Sequence, residues 1–487
     1  MLLPAPMHAP LIADIPYCAS PLDLYAPVAG EPWALLLDSG ATGAGAGHPL
    51  ARWDIVVASP VTTLVTRGSV TEVARSEPAP GRPAYDLLQG DPLSVARREL
   101  ERARPEAPAA GGPTATGSSG DDGDPDGVLP FTGGLVGYFG YDLARRYRRL
   151  PETAADDSHW PEMAIGIYRW AALTDHRRRR SLLVAHDAGL LESLREHYAR
   201  PVQAGAPGTF VLGEALSNLG REGYLAALAR VSRALRDGEV YQVNLAQRFR
   251  APFSGDPLAL HAALRARAPG PFGAFLDLPF GQVASVSPER FLGLRDGVVE
   301  TRPIKGTRPR DPDPAVDARL ARELATSAKE LAENVMIVDL LRNDLGQCAR
   351  PGTVRVPRRF EVESFPSVHH LVSTVTAELS PGTDAFDLLR ACFPGGSITG
   401  APKLQAMRII ESLEPHRRGV YCGSIGHVGF DGSMDLNIAI RTAMVRDGNA
   451  DYWAGGGIVH DSEPEFEYSE SVGKASPFLA LCATPVS

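Results

Sequence analysis

Apolar residues in this chain fall in short runs, and the spacing inside each run separates strands from helices. Ala34 to Leu37 is continuously apolar and stops at Asp38-Ser39-Gly40, the mark of a buried strand ending in a turn over 32–40. Residues 53–58 predict a second strand, and 133–142 a glycine-rich strand and turn. Over 212–236, Tyr224, Leu228, Val231 and Leu235 recur at helical spacing. Strands are expected at 239–249 and 282–286. Residues 327–344 open with strong helix formers and are apolar on nearly all sides in the middle, which describes a buried helix. Val368 to Ser373 alternates as a strand does, 401–413 reads as a helix and 451–454 as a strand. Near the C-terminus Ser462 is the expected N-cap of a last helix, with Glu465 as its capping-box partner and Pro464 in the first turn. The irregular alternation, without a short repeat, favours an α+β fold with large sheets covered by helices.

The order divides into three regions: 1–150, 151–210 as a connecting stretch, and 211–487 with most of the chemistry-bearing motifs. Residues 104–127 are Pro, Ala, Gly, Ser and Asp with almost nothing apolar, so they are expected to form a disordered loop. No apolar run approaches the twenty or so residues of a membrane span, and the N-terminus does not read as a secretory signal. The net charge of −9 argues against nucleic acid as the partner. Five widely spaced cysteines without a CxxC pair suggest neither a zinc site nor a disulfide framework, and a reducing, cytoplasmic setting is expected.

Thr301-Arg302-Pro303-Ile304-Lys305-Gly306-Thr307-Arg308-Pro309-Arg310 draws most attention. Its prolines and glycine confine the backbone to an extended, turn-rich path that can hold Lys305 in one place. A lysine pressed into a partly apolar cleft becomes a usable amine nucleophile, although a lone loop lysine is more often solvated. Glu330 and Glu333 lie one turn apart on one helix face; Glu467, Glu470 and Lys474 share a face of another. Either set alone reads as a solvated helix start or a surface pair. Carboxylates from two helices also suit Mg²⁺, which prefers oxygen ligands. Gly395 to Lys403 offers bare N–H donors at a helix start but is not a Walker loop. Gly455, Gly456 and Gly457 cost stability in any regular element, so close approach of backbone to a ligand is expected there.

Pro-Ile-Lys-Gly-Thr around Lys305, Lys-Glu-x-x-Glu at 329–333 and Glu-x-x-Glu-x-x-x-Lys-Ala at 467–475 together resemble the component I enzymes that act on chorismate. The lysine signature is similar to that of aminodeoxychorismate synthase component I, and the resemblance runs from Pro32 to the C-terminus. It implies two large packed antiparallel sheets with helices outside and an active site in a cleft between the halves. It implies that Glu333 and Glu470 bind Mg²⁺ directly, with Glu330 and Glu467 acting mainly through water. Thr399, Tyr421, Arg441, Gly455, Gly456, Gly457 and Lys474 would hold chorismate, with Lys305 and His370 catalytic. Leu37, Asp38 and Ser39 match a stretch that lines a tryptophan site in the anthranilate relatives, against the plain alternative of a core strand with a capped turn. Those relatives typically carry Ala in place of Lys305, and water-adding relatives carry Lys in place of Gln242. Both departures imply exchange of the C4 hydroxyl of chorismate for an amine, with ammonia from a separate glutamine amidotransferase subunit. Anthranilate synthase component I is the alternative, and an inactive chorismate-binding regulatory protein a second one.

Overall fold

The computed structural model describes residues 9–41, 48–76, 83–105, 128–200, 208–365 and 368–483. Nearly all of the expected loop at 104–127 therefore lies outside the described residues. Among the described residues the strands form two antiparallel sheets, one of 13 strands and one of 12. Both draw strands from all three sequence regions. The sheets pack face to face: Leu35, Ile55 and Leu276 of the first share one buried cluster with Leu64, Leu135 and Ile165 of the second. Neighbouring residues point the opposite way, as strand geometry requires. Leu36, Val56 and Phe275 belong to a second cluster that also holds Leu24 of helix Pro21–Tyr25, Leu260 of Pro257–Arg267 and Phe478 of Pro464–Leu479. Burial on both faces explains why Ala34 to Leu37 is continuously apolar. A third cluster sets the helices Gly220–Arg236 and Lys403–Leu413 over Val243 and Leu245 of strand Gln242–Gly255.

Two crossings between the sheets place the site. Strand Gly281–Ser287 belongs to the first sheet and Arg290–Arg295 to the second, so the chain crosses at Pro288-Glu289. It returns between Met434–Asn437 and Thr442–Arg446, through residues 438–441. The crossings run side by side: Ile438 N–H donates to Glu289 O at 3.0 Å, and Ser287 Oγ donates to Ile438 O at 2.6 Å. The glycine-rich strand Gly134–Phe139 has a packing role, since a Cβ on Gly137 (φ 155°) would stand 2.2 Å from Ala164 O.

Several expectations need correction. The helix expected over 212–236 begins only at Gly220, because Phe210–Leu212 and Leu216–Ser217 pair with strand Gln242–Gly255. Helix Ala328–Gly346 is not buried all round. It buries Asn334, Ile337, Val338, Leu341 and Leu345, while Val335 is 47% exposed. Helix Pro464–Leu479 is capped by Glu463 without a side-chain bond; Ser462 Oγ accepts from Val459 N–H instead, and Glu465 pairs with Arg221. The helix expected from residue 401 starts at Lys403, since Gly400–Ala401 pairs with strand Gln242–Gly255.

Candidate active site

Lys305 sits on an edge strand, Ile304–Pro309, whose register against Val368–Glu378 breaks between Ile304 and Thr307. The break turns Lys305 inward. Gly306 takes φ 81°, and a Cβ there would lie 2.7 Å from Leu324 Cδ1 and 2.9 Å from Glu330 Oε2. Lys305 Nζ stands 3.9 Å from Glu333 Oε2 with its side chain 11% exposed. Burial depresses its pKa and Glu333 opposes this, while Lys474 adds to the depression. Arg302 and Arg310 are engaged elsewhere, paired with Glu363 and Asp317, and Arg308 is paired with Glu330.

The four acids gather from two helices. Ser327 caps Ala328–Gly346, its Oγ accepting from Glu330 N–H at 3.4 Å. Glu330 faces Arg308 at 3.5 Å. Burial raises Glu333 above the usual carboxylate range, and Lys305 and Lys329 only partly offset it. On the second helix, burial works to raise Glu470, but Lys474 at 2.7 Å outweighs it and holds the carboxyl low. Glu467 is 2% exposed, and its buried Oε1 has no hydrogen-bond partner; Lys329 Nζ stands 3.5 Å away. These carboxylate oxygens suit a hard divalent cation. As placed, Lys329 stands between Glu467 and Glu333, and among the described residues no three ligating side chains converge on one ion.

The three glycines lie inside strand Asn449–Ile458, not after it. Each lacks a side chain for its own reason. A Cβ on Gly455 would meet Leu245 O at 2.2 Å, which is backbone crowding. One on Gly456 would lie 3.4 Å from Glu467 Oε2, 3.7 Å from Glu470 Oε1 and 3.8 Å from Lys474 Nζ. One on Gly457 would lie 3.0 Å from Gln242 Nε2 and 3.2 Å from Lys305 Nζ. The glycine strand thus runs between Lys305 and the acids. Gln242 is buried with both amide atoms unpartnered.

A model of the chorismate binding enzyme matches residues 68–480. The chain belongs to this family. It is 46% identical to aminodeoxychorismate synthase component 1 of Salmonella typhimurium over 474 residues, covering 97% of this chain and 98% of that one. It is 41% identical to anthranilate synthase component 1 of Streptomyces coelicolor over 411 residues, 80% of this chain and 77% of that one. The solved anthranilate synthase component I of Streptococcus pneumoniae superposes with a TM-score of 0.73 at 30% identity, covering 88% and 92% of the two chains. The expected resemblance and the α+β fold of two antiparallel sheets are both borne out.

In this chorismate binding enzyme the remaining expected residues divide. Arg441, on the second crossing, has φ 50° and makes no ion pair among the described residues; burial lowers its pKa. The buried Tyr452 hydroxyl in its field has no hydrogen-bond partner. A deeply set guanidinium without a carboxylate is suited to an anionic ligand. His370 bonds Thr307 Oγ1 through Nδ1 at 2.9 Å, and burial, with Arg441 adding, pushes it down to about 3. Tyr421 stacks on Trp453 at 5.8 Å, with the buried Arg418 over its ring. Thr399 spends its hydroxyl on Gly395 O at 2.9 Å. Leu37 and Asp38 line a cavity of about 280 Å³ that reaches Trp53, Phe272 and Arg290, apart from Lys305. Asp38 lies against Arg265 at 2.7 Å, and Ser39 turns to Asp54.

Sequence reasoning missed Glu289. It is buried at the first crossing, accepts from Ser397 Oγ at 2.8 Å, and is pushed up to about 7 by burial, against that bond and the charge of Lys305. In sequence it is one acid after Ser-Pro at the end of an apolar strand, which reads as a turn. Only the crossing of sheets shows that it faces inward.

Proposed function

We propose that this chain converts chorismate and ammonia to 4-amino-4-deoxychorismate, the activity named for its Salmonella relative. The observation that carries this reading is the buried amine of Lys305, whose pKa the site depresses. Lys305 attacks C2 of the ring, the two ring double bonds shift, and the C4–O bond breaks. The leaving hydroxyl needs a proton. His370, held at about 3, has none to spare near neutral pH, whereas Glu289 at about 7 does, so Glu289 gives the proton and water departs. Ammonia then attacks C4, the double bonds shift back, and the bond from Lys305 to C2 breaks. Glu289 takes up the proton that the incoming nitrogen loses.

Arg441 and Lys474 bind the substrate carboxylates, with the stretch Gly455 to Gly457, which has no side chains, and the Thr399 loop close by, while Tyr421 supports the ring. Glu333 and Glu470 directly, and Glu330 and Glu467 through water, would hold Mg²⁺, which when bound supplies positive charge against a substrate carboxylate. The word component in the relatives' names implies a second subunit. We assign it glutamine hydrolysis, so the isolated chain uses ammonium salts but not glutamine. Tryptophan is the ligand we assign to the cavity beside Leu37 and Asp38, with binding calorimetry as its test. The free cysteines fit a cytoplasmic setting, and no helix among the described residues is long and apolar enough to cross a membrane.

The test is intact-protein mass spectrometry of the enzyme with chorismate and Mg²⁺ but without ammonia. Added mass on the peptide containing Lys305 is expected. Turnover with ammonia but no such adduct under any quench would overturn the covalent route.

A further inference from the structure

Each of the four acids on the two helices faces a cation. Glu330, Glu333, Glu467 and Glu470 face Arg308, Lys305, Lys329 and Lys474. Three of the cations have a plain reason to be there. Lys305 is the nucleophile, Lys474 reaches Gly455 O at 3.1 Å, and Arg308 closes over the edge strand. Lys329 does not. It is the second residue of helix Ala328–Gly346, at the positive end of the helix dipole, where an ammonium is disfavoured.

The acids explain it. Lys329 Nζ lies 3.5 Å from Glu467 Oε1 and 4.0 Å from Glu333 Oε1, so one ammonium spans the two helices. Glu467 Oε1 is the buried oxygen without a hydrogen bond. The ammonium is thus the nearest positive charge to the oxygen that a metal-bound water would satisfy. It also has a way out. Its side chain is 41% exposed, and Nζ already stands 5.4 Å from the centre of the Phe466 ring, which is itself 59% exposed at the start of the second helix. An aromatic face attracts an ammonium without needing a carboxylate.

We propose that Lys329 is a tethered counter-cation that holds, beside Glu333 and Glu467, the place of the divalent ion and its bound water, and must swing out onto Phe466 for the hydrated ion to enter. This rests on the metal reading given above. A dication and the ammonium cannot share the two carboxylates at these distances without strong repulsion. Entry of the metal therefore carries the cost of displacing Lys329. It also leaves the site with an excess of positive charge, which a dianionic substrate removes. Metal and substrate accordingly bind with positive coupling, and either alone binds weakly.

The test is Mg²⁺ titration calorimetry of the whole chain without substrate. Lys329→Met keeps the side-chain length without the charge and is expected to tighten Mg²⁺ at least tenfold. Lys329→Arg is expected to bind as the wild type does. In the wild-type protein, acetylation of Lys329 followed by peptide mass spectrometry should quicken severalfold when saturating Mg²⁺ is added, a readout that needs no variant to fold. Equal Mg²⁺ affinity in wild type and Lys329→Met, with acetylation unchanged by Mg²⁺, sinks the gate and leaves the metal reading standing. No Mg²⁺ binding in either protein, even with chorismate present, sinks the metal reading and the gate with it.

Discussion

Ser397 donates its hydroxyl proton to Glu289 Oε1 across 2.8 Å. One residue belongs to the glycine-rich loop before helix Lys403–Leu413 and the other to the crossing between the sheets. The bond fixes the carboxyl where the two halves of the fold meet, within the field of the Lys305 amine.

The first prediction follows from the charge of Glu289. Burial lifts its pKa from 4.5 to about 7. Below about 7 it carries the proton that the leaving hydroxyl takes, so kcat at fixed free ammonia should fall as pH rises past about 7. Glu289→Gln should lose about 10²–10⁴-fold in kcat and lose that limb of the profile. Stability has a matching sign. The folded chain keeps a proton that the unfolded chain releases above 4.5, so this contribution is full below 4.5 and is lost as pH rises to about 7. Denaturant titrations on the acid and alkaline sides of this window should show the difference shrinking in Glu289→Gln. An unaltered pH profile in the variant would remove Glu289 from the proton transfer.

The glycines supply a paired test. Gly455→Ala forces a Cβ to within 2.2 Å of Leu245 O, and backbone cannot yield. It should cost stability, about 1–3 kcal/mol by overpacking, measured by denaturant midpoint. Gly457→Ala meets only the ends of Gln242 and Lys305, at 3.0 and 3.2 Å. Its fold should survive while kcat/KM drops at least about tenfold, close to 1.4 kcal/mol. If Gly457→Ala unfolds and Gly455→Ala is silent, the assignment of faces is reversed.

Arg418 offers a third. It is buried, pairs with Glu414 at 2.6 Å, and donates to Ile398 O at 2.9 Å and Asn244 O at 2.7 Å. It therefore ties the glycine-rich loop to the strand that carries Gln242, beneath Tyr421. Arg418→Met leaves Glu414 buried without its counter-charge and should cost about 3–5 kcal/mol. Arg418→Met with Glu414→Leu should recover part of that stability but not the KM for chorismate, because the loop stays untied. A double variant with wild-type KM would show that the pair only supports the core.

The sequence was most legible where one local rule decides. Ala34 to Leu37 has to be a strand buried on both faces, and the break around Lys305 follows from its prolines and glycine. The glutamate pairs were legible as pairs, since helical spacing alone puts Glu330 beside Glu333 and Glu467 beside Glu470. What the sequence could not carry depends on distant chain. Glu289 faces inward only because two crossings far apart in sequence run side by side. Ser462 loses its expected capping role to Val459 N–H, a competition between neighbouring backbone donors that spacing does not decide. The apolar middle of 327–344 suggests full burial, yet the helix covers the edge of the sheet and leaves Val335 in water.

The last prediction concerns Lys305 itself. Its amine must be neutral to attack, and burial, joined by Lys474, disfavours the charged form. Lys305→Ala should lose 4-amino-4-deoxychorismate formation by orders of magnitude while still binding chorismate. Lys305→Arg should fail similarly, because a guanidinium keeps its proton and cannot act as the nucleophile. Removing the amine also leaves space beside Gly457. Ammonia could then reach C2 directly, and traces of anthranilate from Lys305→Ala, identified by fluorescence and mass, would support a shared site. Glu333 adds a check on the geometry. It stands 3.9 Å from Lys305 Nζ and works to keep the amine charged, so without metal or chorismate the Lys305 amine of Glu333→Gln should lose its proton, and so acetylate, at lower pH than in the wild type. If Lys305→Ala makes 4-amino-4-deoxychorismate at the wild-type rate, ammonia displaces the hydroxyl directly and Lys305 serves only to bind.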